Sequence, residues 1–278
     1  MVEYYINREW VHHDQAGIPL NEAGFLRGDG IFESVSLEAG GFFRLGDHLD
    51  RLLGGLQKIR IQSRESKSEL AELVREYVSR NDLTDAILRI IVTRGIYEGY
   101  PWEYNGPNSL YITHTSPPAL PECPAKVVYL DETNYPLIRR HPAVKSLNYL
   151  GNMLAKMDAH DVGAFEPVLY NKDGYITEGG IRNIFYVKDK VLLTPPLSLG
   201  ILPGTMRDAV MEVADRKNLL CREQLISVNK VDFMDEAFLT STAIKILPVR
   251  WNNWTSEYVV TSQLGEALNM FIDNERAF

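Results

Sequence analysis

Two periods of apolar residues run along this chain. Leu49, Leu52, Leu53 and Leu56 recur at helical spacing and predict a helix over 46–59; Leu70, Leu73, Val74 and Tyr77 predict a second over 67–80. Around them lie short runs rich in β-branched and aromatic residues, bounded by turn formers. These predict strands over 3–7, 8–11, 30–37, 86–93 and 110–115, with Gly40-Gly41 closing the third like a hairpin turn. Farther along, the same patterns predict strands over 126–130, 166–171, 182–188, 191–194 and 236–240. Helices are predicted over 146–162, 205–218 and 261–272.

One composition shift interrupts this order. Ser116 to Pro124 carries four prolines in nine residues, the signature of a stiff, extended linker. It separates an N-terminal α/β domain over 1–115 from a C-terminal domain over 125–278, so the expected class is a two-domain α/β (α+β) fold. With 278 residues and 45% hydrophobic content, there is enough apolar material for a large core. The net charge of -8 and the lack of a basic stripe argue against a nucleic-acid partner. The opening Met1-Val2-Glu3-Tyr4-Tyr5 has no basic, then apolar, leader pattern, and no apolar run is long enough to span a bilayer. Cys123 and Cys221 are far apart and read as free thiols in a reducing cytoplasm. The six histidines form no metal-ligand spacing; His12-His13 sits beside Asp14 in a turn, and no metal site is expected.

Candidate chemistry gathers in the second half. Lys145-Ser146-Leu147-Asn148-Tyr149 leads into the helix predicted over 146–162. Some thirty residues on, Thr177-Glu178-Gly179-Gly180 enters an apolar strand. A lysine amine and a lone glutamate in these settings suit pyridoxal 5'-phosphate: the amine attaches the cofactor, and the acid keeps its pyridine nitrogen protonated so that the ring accepts electrons. Leu202-Pro203-Gly204-Thr205-Met206 opens a helix, whose first N–H groups and dipole favour an anion such as a phosphate. Thr240-Ser241-Thr242-Ala243 follows a strand with hydroxyl donors, and Arg51 offers a charge-assisted bond. Taken singly, each has a plainer reading: a surface lysine, a turn carboxylate after Asp173-Gly174, an ordinary helix start, a helix-surface arginine.

Their order along one chain is more specific. The segments Gly24-Phe25-Leu26-Arg27-Gly28-Asp29-Gly30-Ile31-Phe32-Glu33, His48-Leu49-Asp50-Arg51-Leu52, Lys145-Ser146-Leu147-Asn148, Glu178 to Phe185, Leu202-Pro203-Gly204 and Thr240-Ser241-Thr242-Ala243 together resemble the fold-type IV, or class IV, pyridoxal phosphate aminotransferases over nearly the whole length. The resemblance implies a fold-type IV architecture with the cofactor in the interdomain cleft of 125–278 and its neighbour, and usually a homodimer. Lys145 is implied as the cofactor-bearing lysine and Glu178 as the partner of the pyridine nitrogen. Arg51, Thr205, Met206, Ser241 and Thr242 are implied around the phosphate, and Tyr149 at the phenolate oxygen. Two features depart from the family. A threonine hydroxyl usual at the Met206 position is absent, and Tyr149 stands one residue closer to the lysine than in branched-chain enzymes.

The resemblance further implies amino acid and 2-oxo acid substrates, but leaves the choice among them to a few residues. Arg27 occupies a position that is aromatic in branched-chain enzymes, and a guanidinium there can grip a carboxylate in a fork. Phe32, Thr242 and Ala243 are further substrate-side candidates, and Arg182 is a second possible clamp. Arg27 could instead pair with Asp29 or Glu33. The aromatic stretch Ile96-Tyr97-Glu98-Gly99-Tyr100-Pro101-Trp102 is expected to line or cover the pocket. An Arg-x-His pattern known from D-specific enzymes is missing, whereas Leu150-Gly151-Asn152-Met153-Leu154-Ala155-Lys156 is closer to D-amino acid aminotransferases. The leading expectation is transamination of D-amino acids with 2-oxoglutarate or pyruvate. The alternatives are a branched-chain L-amino acid aminotransferase, an aminodeoxychorismate lyase, and a non-catalytic cofactor-binding relative.

Overall fold

The computed structural model describes residues 2–96, 99–100 and 106–276. The chain divides into two compact units. One comprises Met1–Pro118, Val144–Asn148 and Glu275–Phe278; the other, Ala119–Ala143 and Tyr149–Asn274.

The first unit is built on a six-stranded antiparallel sheet. In chain order its strands are β1 (Glu3–Ile6), β2 (Glu9–His12), β3 (Gly30–Glu38), β4 (Gly41–Phe42), β5 (Ala86–Thr93) and β6 (Ser109–Thr115). They lie side by side as β2-β1-β6-β5-β3-β4. The short helix α1 (Ala23–Arg27) precedes β3, while α2 (Leu45–Lys58) and α3 (Lys67–Arg80) follow β4. Strand alternation places Ile31, Val35 and Leu37 of β3 and Leu88, Ile90 and Val92 of β5 in one core. Leu49, Leu52 and Leu56 of α2 and Leu70, Val74 and Tyr77 of α3 complete it. The α3 start is held by a capping box: Ser66 Oγ accepts from the Glu69 N–H at 3.3 Å, and Glu69 Oε2 accepts from the Ser66 N–H at 2.8 Å. Such a cap contributes about 1 kcal/mol.

Residues 145–147 do not start a helix. They run along β3: the Phe32 N–H donates to the Lys145 carbonyl at 2.9 Å, the Leu147 N–H donates to Gly30 at 3.0 Å, and Ile31 and Ser146 form an antiparallel bridge. Asn148 Nδ2 then donates to the Gly28 carbonyl at 2.9 Å. Gly28 sits at φ +63°, where a Cβ would come within 2.6 Å of Asn148 Oδ1, so glycine is required twice over. This pairing explains why Val144–Asn148 groups with the first unit rather than with the span 125–278. It also explains why the helix expected from 146 begins only at Leu150.

The second unit is a mixed eight-stranded sheet. Its strands are β7 (Ala125–Asp131), β8 (Glu166–Tyr170), β9 (Ile176–Gly179), β10 (Asn183–Lys188), β11 (Val191–Thr194), β12 (Cys221–Glu223), β13 (Glu236–Ser241) and β14 (Lys245–Arg250), in the order β12-β11-β10-β13-β14-β7-β8-β9. The helices are α4 (Leu150–Asp161), α5 (Thr205–Arg216) and α6 (Val259–Glu275). Fully buried Ile184, Tyr186, Ala237, Leu239 and Val249 form its core, and Phe185 stacks on Phe238 at 5.1 Å. Strand β14 was not expected because Pro248 interrupts it. The strand tolerates the proline because pairing with β7 starts at Val249, one residue past the missing N–H. Among the described residues, no helix is long and apolar enough to cross a membrane.

Candidate active site

In the first unit, chemistry centres on the two faces of β3. Phe32 and Glu33 are neighbours, so their side chains leave the sheet on opposite sides. The Phe32 ring has Lys145 Nζ 4.6 Å from its centroid and the Arg89 guanidinium carbon 5.0 Å away. On the helix side, Glu33 takes a place in the apolar row of Ile31, Val35 and Leu37 and is fully buried. Arg51 Nε donates to Glu33 Oε1 at 2.6 Å and Arg51 Nη2 to Glu33 Oε2 at 2.7 Å, a two-pronged ion pair. His48, one turn earlier on α2, lies 2.9 Å from Glu33 Oε2 through Nδ1.

Burial opposes charge on both Glu33 and His48, with opposite outcomes. For Glu33, burial pushes the carboxyl up, but hydrogen bonds from Arg51 and His48 and the charge of Arg51 override it and hold it at about 2. For His48, burial lowers the imidazole, and the pull of Glu33 does not compensate; Arg51 and Lys145 add to the lowering. His48 is therefore neutral. Because an ionised carboxylate only accepts, its Nδ1 carries the proton.

Arg27 ends α1 and is exposed. The two carboxylates weighed as its partners each accept from other side chains. Asp29 is bound by Arg94 at 2.6 and 3.1 Å, and Glu33 by Arg51 and His48. Of the aromatic stretch 96–102, Tyr97, Glu98, Pro101 and Trp102 lie outside the described residues.

In the second unit, Glu178 lies on β9 between buried neighbours. Its Oε1 accepts from Arg139 Nη1, and its Oε2 accepts from the Leu202 N–H at 3.2 Å. Arg139 also reaches Glu132 at 2.9 Å and Thr177 Oγ1 at 3.3 Å. Burial would lower Arg139, but Glu178 and Glu132 outweigh it and raise it above the ordinary arginine value. Nothing in the proline-flanked stretch around Arg139 advertises this role, and sequence reasoning missed it.

The α5 start follows an unusual N-cap. Gly204 has no side chain to cap with, so no cap side chain competes for the first-turn N–H groups. A Cβ on Gly204 would fall 2.1 Å from Asn183 Oδ1, and Asn183 Nδ2 donates to the Leu202 carbonyl at 2.9 Å, bracing the turn. Thr205 and Met206 are both buried, so Met206 can serve an anion only through its backbone. Ser241, Thr242 and Ala243 are half-buried in a turn closed by the Ile244 N–H on the Ser241 carbonyl at 3.2 Å. Just before it, Thr240 Oγ1 is buried without a hydrogen-bond partner. Tyr149 is half-buried as the N-cap of α4.

Arg182, weighed as a second clamp, is spent on structure. Its Nη1 binds the fully buried Glu166, its guanidinium lies 4.7 Å from the Phe165 ring centroid, and only 9% of its side chain is exposed. Lys156 Nζ meets the same Glu166 at 2.6 Å, and the Ile181 N–H donates to it at 2.9 Å.

The first unit thus carries a guanidinium fork and a lysine amine against an aromatic ring, and the second an uncapped helix start and hydroxyls including a buried unpartnered one; each is a kind of group that a phosphorylated carbonyl cofactor can use. The chain belongs to the class IV aminotransferase family, whose description, amino-transferase class IV, matches residues 30–251. Enzymes of this class use pyridoxal phosphate, and this chain is a transaminase. It is 35% identical over 250 residues to a "Putative branched-chain-amino-acid aminotransferase" of Methanocaldococcus jannaschii, covering 89% of this chain and 87% of that one. It is 30% identical over 249 residues to a D-alanine aminotransferase of Listeria monocytogenes, covering 88% and 85%. Its fold matches the branched-chain amino acid aminotransferase of Escherichia coli with a TM-score of 0.88 at 27% identity, covering 98% of this chain and 95% of that one.

Proposed function

We propose that this transaminase moves the amino group of D-amino acids to a 2-oxo acid such as 2-oxoglutarate or pyruvate, with pyridoxal 5'-phosphate as cofactor and Arg27 as the grip on the substrate carboxylate. The observation that carries this reading is Arg27 itself: an exposed guanidinium at the C-terminal end of α1, a planar fork that matches a carboxylate, at a position that is aromatic in branched-chain enzymes. When bound, the cofactor supplies a carbonyl that an amine can join and a ring that accepts the electron pair left behind by the α-proton. Lys145 would hold the cofactor through its amine and, once displaced by the substrate amine, would take the proton from the substrate α-carbon and deliver it to the cofactor's carbonyl carbon. Glu178, held by Arg139, would pair with the pyridine nitrogen. Arg51, the Thr205 and Met206 N–H groups, Ser241 and Thr242 hold the phosphate. Tyr149 would hydrogen-bond the phenolate oxygen, and Phe32, Thr242 and Ala243 would border the substrate. A second oxo acid runs the steps in reverse.

A branched-chain L-amino acid specificity is the second reading, favoured by the names of the Methanocaldococcus and Escherichia relatives. The two readings separate in a half-reaction. Protein loaded with pyridoxal phosphate is mixed with D-alanine, D-glutamate, L-leucine or L-glutamate, and loss of the cofactor's visible band is followed. Bleaching by the D-substrates, weakened about 10- to 100-fold in Arg27→Ala, supports the proposal. Bleaching by L-leucine with no effect of Arg27→Ala transfers the chain to the branched-chain reading.

Self-association fits the same picture. Leu150, Met153, Leu154 and Met157 follow an i, i+3, i+4, i+7 pattern on α4 and are all exposed, an apolar stripe of the kind a second copy would cover. A homodimer should appear in light scattering, and Met157→Glu should weaken it; a monomer at micromolar concentration would count against it. The free cysteines fit a reducing cytoplasm.

A further inference from the structure

Arg51 is proposed above as a phosphate-binding cation, and the following rests on that reading. We infer that Glu33 is a positioning residue for Arg51: a buried carboxylate on β3 that locks the guanidinium fork in one orientation, with His48 as its brace. Three observations carry this. First, Glu33 interrupts an otherwise apolar row of β3, between Ile31 and Val35, at a position where a leucine or valine would pack. A charge in such a place persists only if it is fully paired, and a local violation of the hydrophobic pattern commonly marks function. Second, the contact is two-pronged. With Nε and Nη2 both on Glu33, the Nη1 edge of the guanidinium is turned away from the carboxylate. An arginine has many rotamers, so a second surface that fixes its plane sets where its outer edge points. Third, His48 and Arg51 are three residues apart on α2 and meet the same carboxylate, so helix geometry sets both donors at once.

His48 is neutral for the reasons given above and so adds a hydrogen bond without a second positive charge. Glu33 remains ionised throughout the working range. The Glu33, His48 and Arg51 cluster therefore carries no net charge, and what it offers an anion is a fixed direction rather than an excess of charge. This leads to a sign that a purely electrostatic account does not share. If charge alone mattered, removing the Glu33 anion would strengthen phosphate binding. If position matters, removing it weakens binding.

The test is a titration of the metabolite-free apoprotein with pyridoxal phosphate, followed by absorbance, for wild type, Glu33→Gln, Arg51→Ala, the double variant and His48→Gln. Thermal midpoints of the apoproteins serve as the folding control. Arg51→Ala should raise Kd at least tenfold, Glu33→Gln about tenfold, and the double variant no more than Arg51→Ala alone, because Glu33 acts through Arg51. His48→Gln, which keeps a donor to Glu33, should change Kd by less than about threefold. Should Glu33→Gln lose its fold, Glu33→Asp keeps the charge but withdraws it by one methylene and should also weaken binding. An unchanged or tighter Kd in Glu33→Gln beside a weakened Arg51→Ala overturns the positioning role while leaving Arg51 in place. Additive losses in the double variant also overturn it, since they mean that Glu33 acts on something other than Arg51. An Arg51→Ala protein that binds like wild type removes the phosphate assignment and this inference with it.

Discussion

Glu33 and Glu166 are both fully buried carboxylates held by an arginine, yet they sit in different electrostatic company. Glu166 is surrounded by Arg182, Lys156 and a backbone N–H, so two cations answer one anion. Glu33 is answered by one cation and one neutral imidazole. Arg182 is nearly buried and lies against Phe165, whereas Arg51 keeps more of its side chain exposed, 15% against 9%. The same device, a carboxylate gripping a guanidinium, ties a turn to a strand in one unit and aims a cation in the other. Burial of the arginine, more than the presence of the pair, separates the two uses.

The largest expected effect falls on the structural pair. Glu166→Ala leaves Arg182 and Lys156 without their anion and an Ile181 N–H without its acceptor. It should cost about 3–5 kcal/mol, read as a lower urea midpoint. A loss below about 1 kcal/mol would show that water reaches this cluster and would erase the contrast with Glu33.

Next comes acid. The folded-state value of Glu33 is depressed from 4.5 to about 2. Its contribution to stability is therefore fully present above about 4.5 and is lost as the pH falls through about 2. The size is on the order of 3 kcal/mol. The stability gap between wild type and Glu33→Gln, measured by urea titration, should be constant from pH 7 to about pH 5 and shrink steadily below that. A gap that does not vary with pH would mean that charge on Glu33 is irrelevant to its grip.

The smallest effect calibrates the other two. Ser66→Ala removes an exposed cap of α3 and should cost only about 1 kcal/mol in the same urea titration. If it matched Glu166→Ala, burial would not be what makes the carboxylate pairs matter.

Much of the fold could be read from residue order. The helix expected over 67–80 coincides with α3, and the strand expected over 86–93 coincides with β5, because both keep a clean apolar period and lie between strong turn signals. Several features escaped, among them the short elements α1, β4 and β9. Strand β14 was hidden by Pro248, and β12 is only three residues long. The extended path of residues 145–147 was hidden because a run of Ser-Leu-Asn-Tyr before a helix has no local mark separating a helical start from a strand paired to Gly30–Phe32. The site candidates divide in the same way. Lys145, Arg51 and Glu178 stood out as candidates through the motifs that contain them. Arg139 did not, since its partners Glu132 and Glu178 are brought to it by folding and not by spacing.

Sequence alone determined the family, the expectation of pyridoxal phosphate and the alternating elements, because these depend on local propensity, short motifs and their order. Tertiary structure alone decided which charges are spent inside the protein. Whether Arg182 meets a ligand or Glu166, or whether Glu33 meets Arg27 or Arg51, depends on pairings across strands and helices many residues apart. The desolvation cost that makes one pairing binding and another optional exists only once the chain has folded around it.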